Sequence, residues 1–227
     1  MFLVKHCFTG RLQGNGTVSE QLLELAIADT ESEWVNVVDM EPNMNKVGSS
    51  CLGCLILDRW LYIGSLGDSK AVLGQFIGKK LVAEQLTKDH NVNVADTRME
   101  VMQQNTDDPA CVVKENGRWK VKGMIELLVN SLQLVGLFWP SLVCTVWKSI
   151  GDLYLKLPRF ADENLTGPFL RPLLSNMPYL RTTRIRFSDK FVIFASHSFW
   201  EYITNQDAVD LVKRYPREGI AKTLKRK

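Results

Sequence analysis

Residues 51–86 read CLGCLILDRWLYIGSLGDSKAVLGQFIGKKLVAEQL. Short apolar runs are cut by three polar breaks: Asp58-Arg59, Gly67-Asp68-Ser69 and Gly78-Lys79-Lys80. Runs of this length, rich in β-branched and aromatic residues and bounded by Gly and Asp, are strands. The spacing predicts strands over 50–58, 60–65, 71–76 and 81–86, joined as an antiparallel meander.

Upstream, residues 17–39 carry apolar positions on a helical period (Leu22, Leu25, Ala26, Trp34, Val38), opened by Thr17-Val18-Ser19-Glu20 in the form of a capping box. Downstream, 93–104 predict a polar helix with Val94, Met99 and Met102 as its apolar positions. Val112-Val113, a Glu115-Asn116-Gly117 turn and Trp119–Val121 predict a hairpin. Residues 159–178 are punctuated by Gly167, Pro168, Pro172 and Pro178 and read as loop. Arg181–Phe187 alternates like a strand, Phe191–Ala195 is an apolar run, and the two read as a further hairpin. Asn205 is placed to cap a helix over 206–215 that Pro216 stops, and a last helix follows from about 217.

The 227 residues suffice for one sizeable core. A net charge of +3 is too small to argue for nucleic acid. The basic residues near the C-terminus, Arg214, Arg217, Lys222, Lys225, Arg226 and Lys227, read first as a solvated helix face and tail, with a nucleic-acid or anionic-membrane patch as the minority reading. Five cysteines at irregular spacings (Cys7, Cys51, Cys54, Cys111, Cys144) and no secretory leader point to a reducing, intracellular setting, in cytoplasm or nucleus. Cys51 and Cys54 spell C-x-x-C inside a predicted strand, where positions three apart face opposite sides. That favours core packing over zinc or redox chemistry. Leu127–Trp147 carries no charge and has the length of a membrane span. Asn130, Gln133, Pro140, Ser141 and Thr145 dilute it, so an apolar insertion at about 124–145, outside the sandwich core, is the favoured reading and a membrane location the disfavoured one.

Several stretches line up in order. Val47-Gly48-Ser49-Ser50-Cys51 precedes the first hairpin, and Leu66-Gly67-Asp68-Ser69-Lys70-Ala71-Val72-Leu73-Gly74 follows it. Then come Gln85-Leu86-Thr87-Lys88-Asp89-His90-Asn91, Asp107-Asp108-Pro109, Trp119-Lys120-Val121-Lys122-Gly123 and Lys148-Ser149-Ile150-Gly151-Asp152. Phe191–Ser196, Trp200-Glu201, Asn205-Gln206-Asp207-Ala208-Val209 and Pro216–Ala221 complete the series. The series resembles the metal-dependent type 2C protein serine/threonine phosphatases, in a plant-like subgroup, from about residue 18 onward. The resemblance implies an α+β fold: two antiparallel sheets packed face to face and flanked by helices. It implies a single domain over 1–227 that is partial, short of the family at both ends, and therefore marginal or in need of a partner. It also implies a pair of Mg²⁺ or Mn²⁺ ions held by carboxylates, with a metal-bridged water attacking a phosphoester.

The same resemblance raises the question of activity. The family's first metal motif, Asp-Gly-His-Gly-Gly, does not occur in the chain. Its middle motif, Asp-Gly after the strand ending in Ala-Ser, is replaced here by His197-Ser198. A neutral imidazole brings no negative charge between two dications, and a protonated one repels them. A His-Ser hydrolase would need an orienting acid and an oxyanion hole, and the sequence offers neither. Asp68 matches a third, weaker metal position of the family, or is a turn residue at a strand break. Asp152 reads as loop architecture, and Lys148 stands where the family usually has Arg. The expectation is a catalytically inactive phosphatase-like protein with Mg or Mn absent or weakly held at Asp68, and with phosphoproteins or other proteins as partners. The alternative is an active Mg/Mn-dependent protein serine/threonine phosphatase.

Overall fold

The computed structural model describes residues 20–115, 117–123, 145–162 and 171–215. Most of the apolar segment 124–145, the capping-box residues before Glu20, the helix expected from 217 and its basic tail lie outside the described residues, as do Cys7 and Cys144.

The first hairpin pairs β2 (Cys51–Leu57) with β3 (Trp60–Leu66), in register from Leu57↔Trp60 to Cys51↔Leu66. Asp58 and Arg59 both take positive φ, 49° and 64°, which is the tight turn that matches strand twist. The second hairpin pairs β4 (Lys70–Ile77) with β5 (Lys80–Gln85). The two hairpins do not form a meander. They belong to different sheets, because Gly67, at φ 88°, turns the chain out of one sheet and into the other. A side chain at Gly67 would also strike Ser50 Oγ, 2.1 Å from its Cβ position.

The expected 181–195 hairpin is corrected in the same way. β9 (Tyr179–Arg184) pairs with β3, giving the sheet order β2-β3-β9, and β10 (Asp189–Ala195) pairs with β4, giving β10-β4-β5. At the crossing, Ile185 N still donates to Arg59 O in the first sheet, while Ser188 O accepts from Phe76 N in the second.

The sheets pack face to face through Leu61 and Ile63 from one and Ala71 and Leu73 from the other, closed by Leu86. Helix α1 (Glu20–Met40) covers the outer face of the first sheet. Gly64 lets it close, since a Cβ there would touch Ile27 Cδ1 at 3.3 Å and Leu180 Cδ2 at 3.4 Å. Helices α3 (His197–Trp200) and α4 (Asn205–Arg214) cover the second sheet through Trp200, Ala208 and Val209 against Val72 and Leu81. Residues 71–74 are therefore buried without alternation, as both faces of β4 are covered. The layering is helix–sheet–sheet–helix.

A separate cluster joins helix α2 (Ala95–Gln104), the hairpin β6 (Val112–Glu115) and β7 (Arg118–Val121), and the segments around Trp147, Leu155 and Leu173. The short strands β1 (Gly48–Ser49) and β8 (Ile150–Gly151) pair beside it. The helix at 95–104 is where the sequence puts it, but its buried face is Thr97 and Val101. Val94, Met99 and Met102 are exposed, because the i, i+4 pair Thr97–Val101 defines the stripe that meets β6. Helix α4 is capped by Thr204, whose Oγ1 accepts from Asp207 N at 3.1 Å, and Asn205 is its first residue. No helix among the described residues is long and apolar enough to cross a membrane. Cys51, Cys54 and Cys111 are free thiols, the first and last buried.

Candidate functional site

The site lies where β4 begins and β10 ends. The β4–β10 register runs through Phe194↔Ala71 to Ala195↔Lys70. Continued two residues past that last pair, the same register sets His197 opposite Asp68. Position parity puts both side chains on one side of the sheet. His197 Nδ1 lies 2.9 Å from Asp68 Oδ2.

Asp68 is held from three directions. Ser50 Oγ reaches Oδ1 at 3.4 Å. The turn before it is pinned by His90, whose backbone N donates to Gly67 O at 3.1 Å and whose Nδ1 lies 3.1 Å from the same oxygen. Burial pushes the Asp68 carboxyl above the ordinary range, and His197 opposes that push. His90 is fully buried, and its pKa is pulled down to about 3, first by burial and then by Lys148. It is therefore a neutral structural residue.

His197 opens α3, whose place is set by Trp200 Nε1 donating to Ala195 O at 3.0 Å and by the edge-to-face stack of Phe199 on Trp200. The other ring nitrogen, Nε2, lies 3.5 Å from Glu201 Oε1 one helical turn on. Beside the pair, both Asp89 oxygens are engaged: Oδ2 by Lys70 Nζ at 2.8 Å, Oδ1 by Gln85 Nε2 at 2.9 Å. The structure thus supplies the acid that the sequence did not offer to His197, and that acid is Asp68. No spacing in the chain could reveal it, because only the strand register brings the two together. Asp152 and Lys148 make other contacts. Asp152 Oδ2 accepts from Ser149 Oγ at 2.8 Å in a buried loop, and Lys148 Nζ sits 4.7 Å over the Trp147 ring.

Mg²⁺ and Mn²⁺ are hard ions that take oxygen ligands, and two of them together need several carboxylates to offset their charge. Here one Asp68 oxygen faces an imidazole nitrogen at contact distance. Among the described residues, no group of three or more His, Cys, Asp or Glu side chains is placed to hold a metal ion. The residues at this point do not fit a magnesium or manganese pair.

Comparison with known proteins supplies the lineage. The family described as Protein phosphatase 2C matches residues 10–226. The chain is 38% identical over 223 residues to "Probable protein phosphatase 2C 43" of Oryza sativa subsp. japonica, covering 93% of this chain and 53% of that one. It is 38% identical over 225 residues to "Probable protein phosphatase 2C 68" of Arabidopsis thaliana, covering 92% and 52%. The chain thus spans about half the length of these curated relatives. Its fold is similar to the crystal structure of a serine-threonine phosphatase 2C from Toxoplasma gondii, with a TM-score of 0.61 at 18% identity, over 97% of this chain and 68% of that one. With the ordered motifs, the two packed sheets and a family match across nearly the whole chain, this protein belongs to the protein phosphatase 2C family.

Proposed function

We propose that this chain is a type 2C phosphatase-like protein that does not itself hydrolyse phosphoesters and acts by binding phosphoproteins or other proteins, in an intracellular setting. The family is metal dependent, generally on magnesium or manganese. The observation that supports the reading is the Asp68–His197 contact at 2.9 Å: by the motif correspondence His197 takes the position of the family's metal-bridging aspartate, and an imidazole against Asp68 brings no negative charge there. A metal-bridged nucleophile depends on that negative charge, so binding of a partner can survive its loss and turnover cannot.

The test is turnover of an aryl phosphate and of a phosphoserine peptide by the purified chain in millimolar Mn²⁺. No rate above background is expected, either for the wild type or for His197→Asp combined with Ser198→Gly. That double variant adds one carboxylate to Asp68, and two carboxylates do not confine two dications against their repulsion. Mn²⁺-dependent turnover by the unaltered chain, abolished by Asp68→Asn, would overturn the reading. It would establish the second one, an active Mg/Mn-dependent protein serine/threonine phosphatase, which the family match over residues 10–226 favours.

A further inference from the structure

We infer that the end of the sandwich opposite Asp68 and His197 docks the protein on an anionic lipid bilayer, with Trp60, Phe76, Ile77 and Phe187 entering the headgroup layer and a ring of Lys and Arg meeting the lipid charge. The inference does not depend on whether the chain hydrolyses phosphoesters.

Three loops meet at this end: the β2–β3 turn at Asp58-Arg59, the β4–β5 turn at Gly78-Lys79, and the crossing from β9 to β10 at 185–188. The crossing is stitched to both turns. Ile185 N donates to Arg59 O at 2.7 Å, and Phe76 N donates to Ser188 O at 2.9 Å. Turn tips are ordinarily polar. Here Ile56, Leu57 and Trp60 flank the first turn, Phe76 and Ile77 precede the second, and Phe187 stands in the crossing, all of them exposed. Ile77 is 60% and Phe187 92% exposed. Ile56 shares a face with its register partner Leu61, and Ile77 has the parity of Leu73, so both lie where the space between the sheets opens to solvent. Apolar side chains gathered at one end and bounded by charge mark a binding surface, unlike exposed leucines scattered singly.

The charge identifies the partner. Around the tips stand Arg59, Lys79, Lys80, Arg184, Arg186 and Lys190, all exposed, against two carboxylates, Asp58 and Asp189. Asp189 is engaged locally, accepting from Arg186 N at 2.8 Å and from Ser188 Oγ at 3.2 Å. The excess of positive charge at this end is larger than the +3 of the whole chain, so it is a local feature. Lys190 Nζ lies 5.7 Å from the centre of the Phe76 ring and 5.2 Å from that of Phe187, which interleaves cation and apolar surface. A second copy of the chain does not fit, because it would set these six cations against the same six. An acidic peptide needs a groove or a free strand edge, whereas these side chains stand on turns and Phe187 has almost no wall beside it. A bilayer needs neither. Its interface takes Trp, Phe and aliphatic side chains next to Lys and Arg, and its anionic lipids supply the opposite charge. Strand β4 runs from Lys70 beside the site to Ile77 at the tips, about 23 Å at the usual rise per residue. Docking therefore leaves Asp68 and His197 on the side away from the lipid, open to a protein partner.

The experiment is cosedimentation of the whole chain with vesicles of phosphatidylcholine alone and of phosphatidylcholine with about 30% phosphatidylserine, at about 0.1 M salt. Binding is expected to the phosphatidylserine vesicles only, and it should fall as salt rises. Ile77→Ser combined with Phe187→Ser should weaken it by about 10-fold or more, and each of Lys79→Glu, Lys80→Glu and Lys190→Glu by about 5-fold or more. Lys114→Glu, on the separate β6–β7 hairpin, should leave it unchanged. The replaced side chains are exposed, so the variants keep the fold, and matching urea midpoints check this. No uptake by the phosphatidylserine vesicles overturns the inference, and so does uptake unchanged in the Ile77/Phe187 variant, which would assign it to another part of the chain. An equal loss in Lys114→Glu overturns it in favour of general charge attraction. Self-association, or capture of an acidic amphipathic peptide, that these variants abolish while vesicles go unbound overturns it in favour of a protein partner. None of these readouts is turnover, so the outcome is separable from that of the proposed function.

Discussion

Lys156 Nζ donates to Glu31 Oε1 at 2.7 Å, joining helix α1 to the loop after β8, and both side chains are under 10% exposed (6% and 8%). Lys156 also donates to Ser149 O at 2.6 Å, and Glu31 Oε2 accepts from Gly151 N at 2.8 Å. The pair therefore closes the backbone polar groups of a buried turn. Burial pulls the Lys156 ammonium below its ordinary range, and Glu31 opposes the pull. Removing one partner leaves the other charge buried, and Lys156→Met or Glu31→Leu is expected to cost about 3–5 kcal/mol in urea unfolding. A loss below 1 kcal/mol would show that water replaces the missing partner.

Gly48 and Asp152 are coupled by space. A Cβ at Gly48 would lie 1.9 Å from Asp152 Oδ2, and Asp152 is itself held by Ser149 and sits at φ 50°. Gly48→Ala must expel that carboxylate, at an expected cost of about 1–3 kcal/mol. Asp152→Gly removes the obstacle and accepts the positive φ, so the double variant should be more stable than Gly48→Ala alone. Melting curves of the three variants check the sign of the coupling.

The pH dependence should show His90. Its pKa is about 3 in the folded chain against 6.5 when solvated, so between those values the unfolded chain binds more protons and stability rises with pH. From pH 5 to pH 8 the His90 contribution is about 2 kcal/mol in favour of folding. The raised carboxyls of Asp68 and Asp152 act in the opposite sense, which is why the comparison is with His90→Asn. That variant offers a donor toward Gly67 O without a titrating ring. Its pH slope over this range should be flatter, as read from urea midpoints, and an identical slope would assign the dependence to another group.

Thr204 fixes the start of α4 through two contacts to Asp207, one from its amide at 3.1 Å and one to Oδ2 at 2.6 Å. Thr204→Ala should cost about 1 kcal/mol, and Thr204→Ser much less. Equal losses would mean that the methyl group, not the hydroxyl, sets the helix start.

The strands and their tight turns were legible because each is written locally, in apolar runs broken by Asp58-Arg59 and Gly78. The partition into sheets was not. A chain leaving β3 at Gly67 can pair back or cross over, and the choice is made by β9 and β10 arriving from far along the sequence. The buried face of α2 is not written locally either, for a related reason. Met99 and Met102 are the more apolar residues, but Thr97 and Val101 share the side that β6 approaches. At the site, Asp68 and His197 were each visible as unusual residues at strand ends. Their contact was not, since it is a consequence of the β4–β10 register, which no local pattern encodes.

The crossings at Gly67 and at 185–188 also dictate an order of events on the ribosome. The two hairpins between Cys51 and Gln85 close over two-residue turns and can form as soon as they emerge. Each sheet waits for its third strand until Tyr179–Ala195 has been made, more than 90 residues later by the β5 and β9 bounds. Closing a loop of that length costs little more entropy than closing one half as long, but the delay is set by synthesis, at roughly 5–20 residues per second. For several seconds, β3 and β4 each carry one open edge, and the face of β4 that α3 and α4 later cover stays exposed. The nascent chain therefore meets its greatest risk of aggregation before its candidate site exists, and chaperone contact in that interval should centre on residues 60–77.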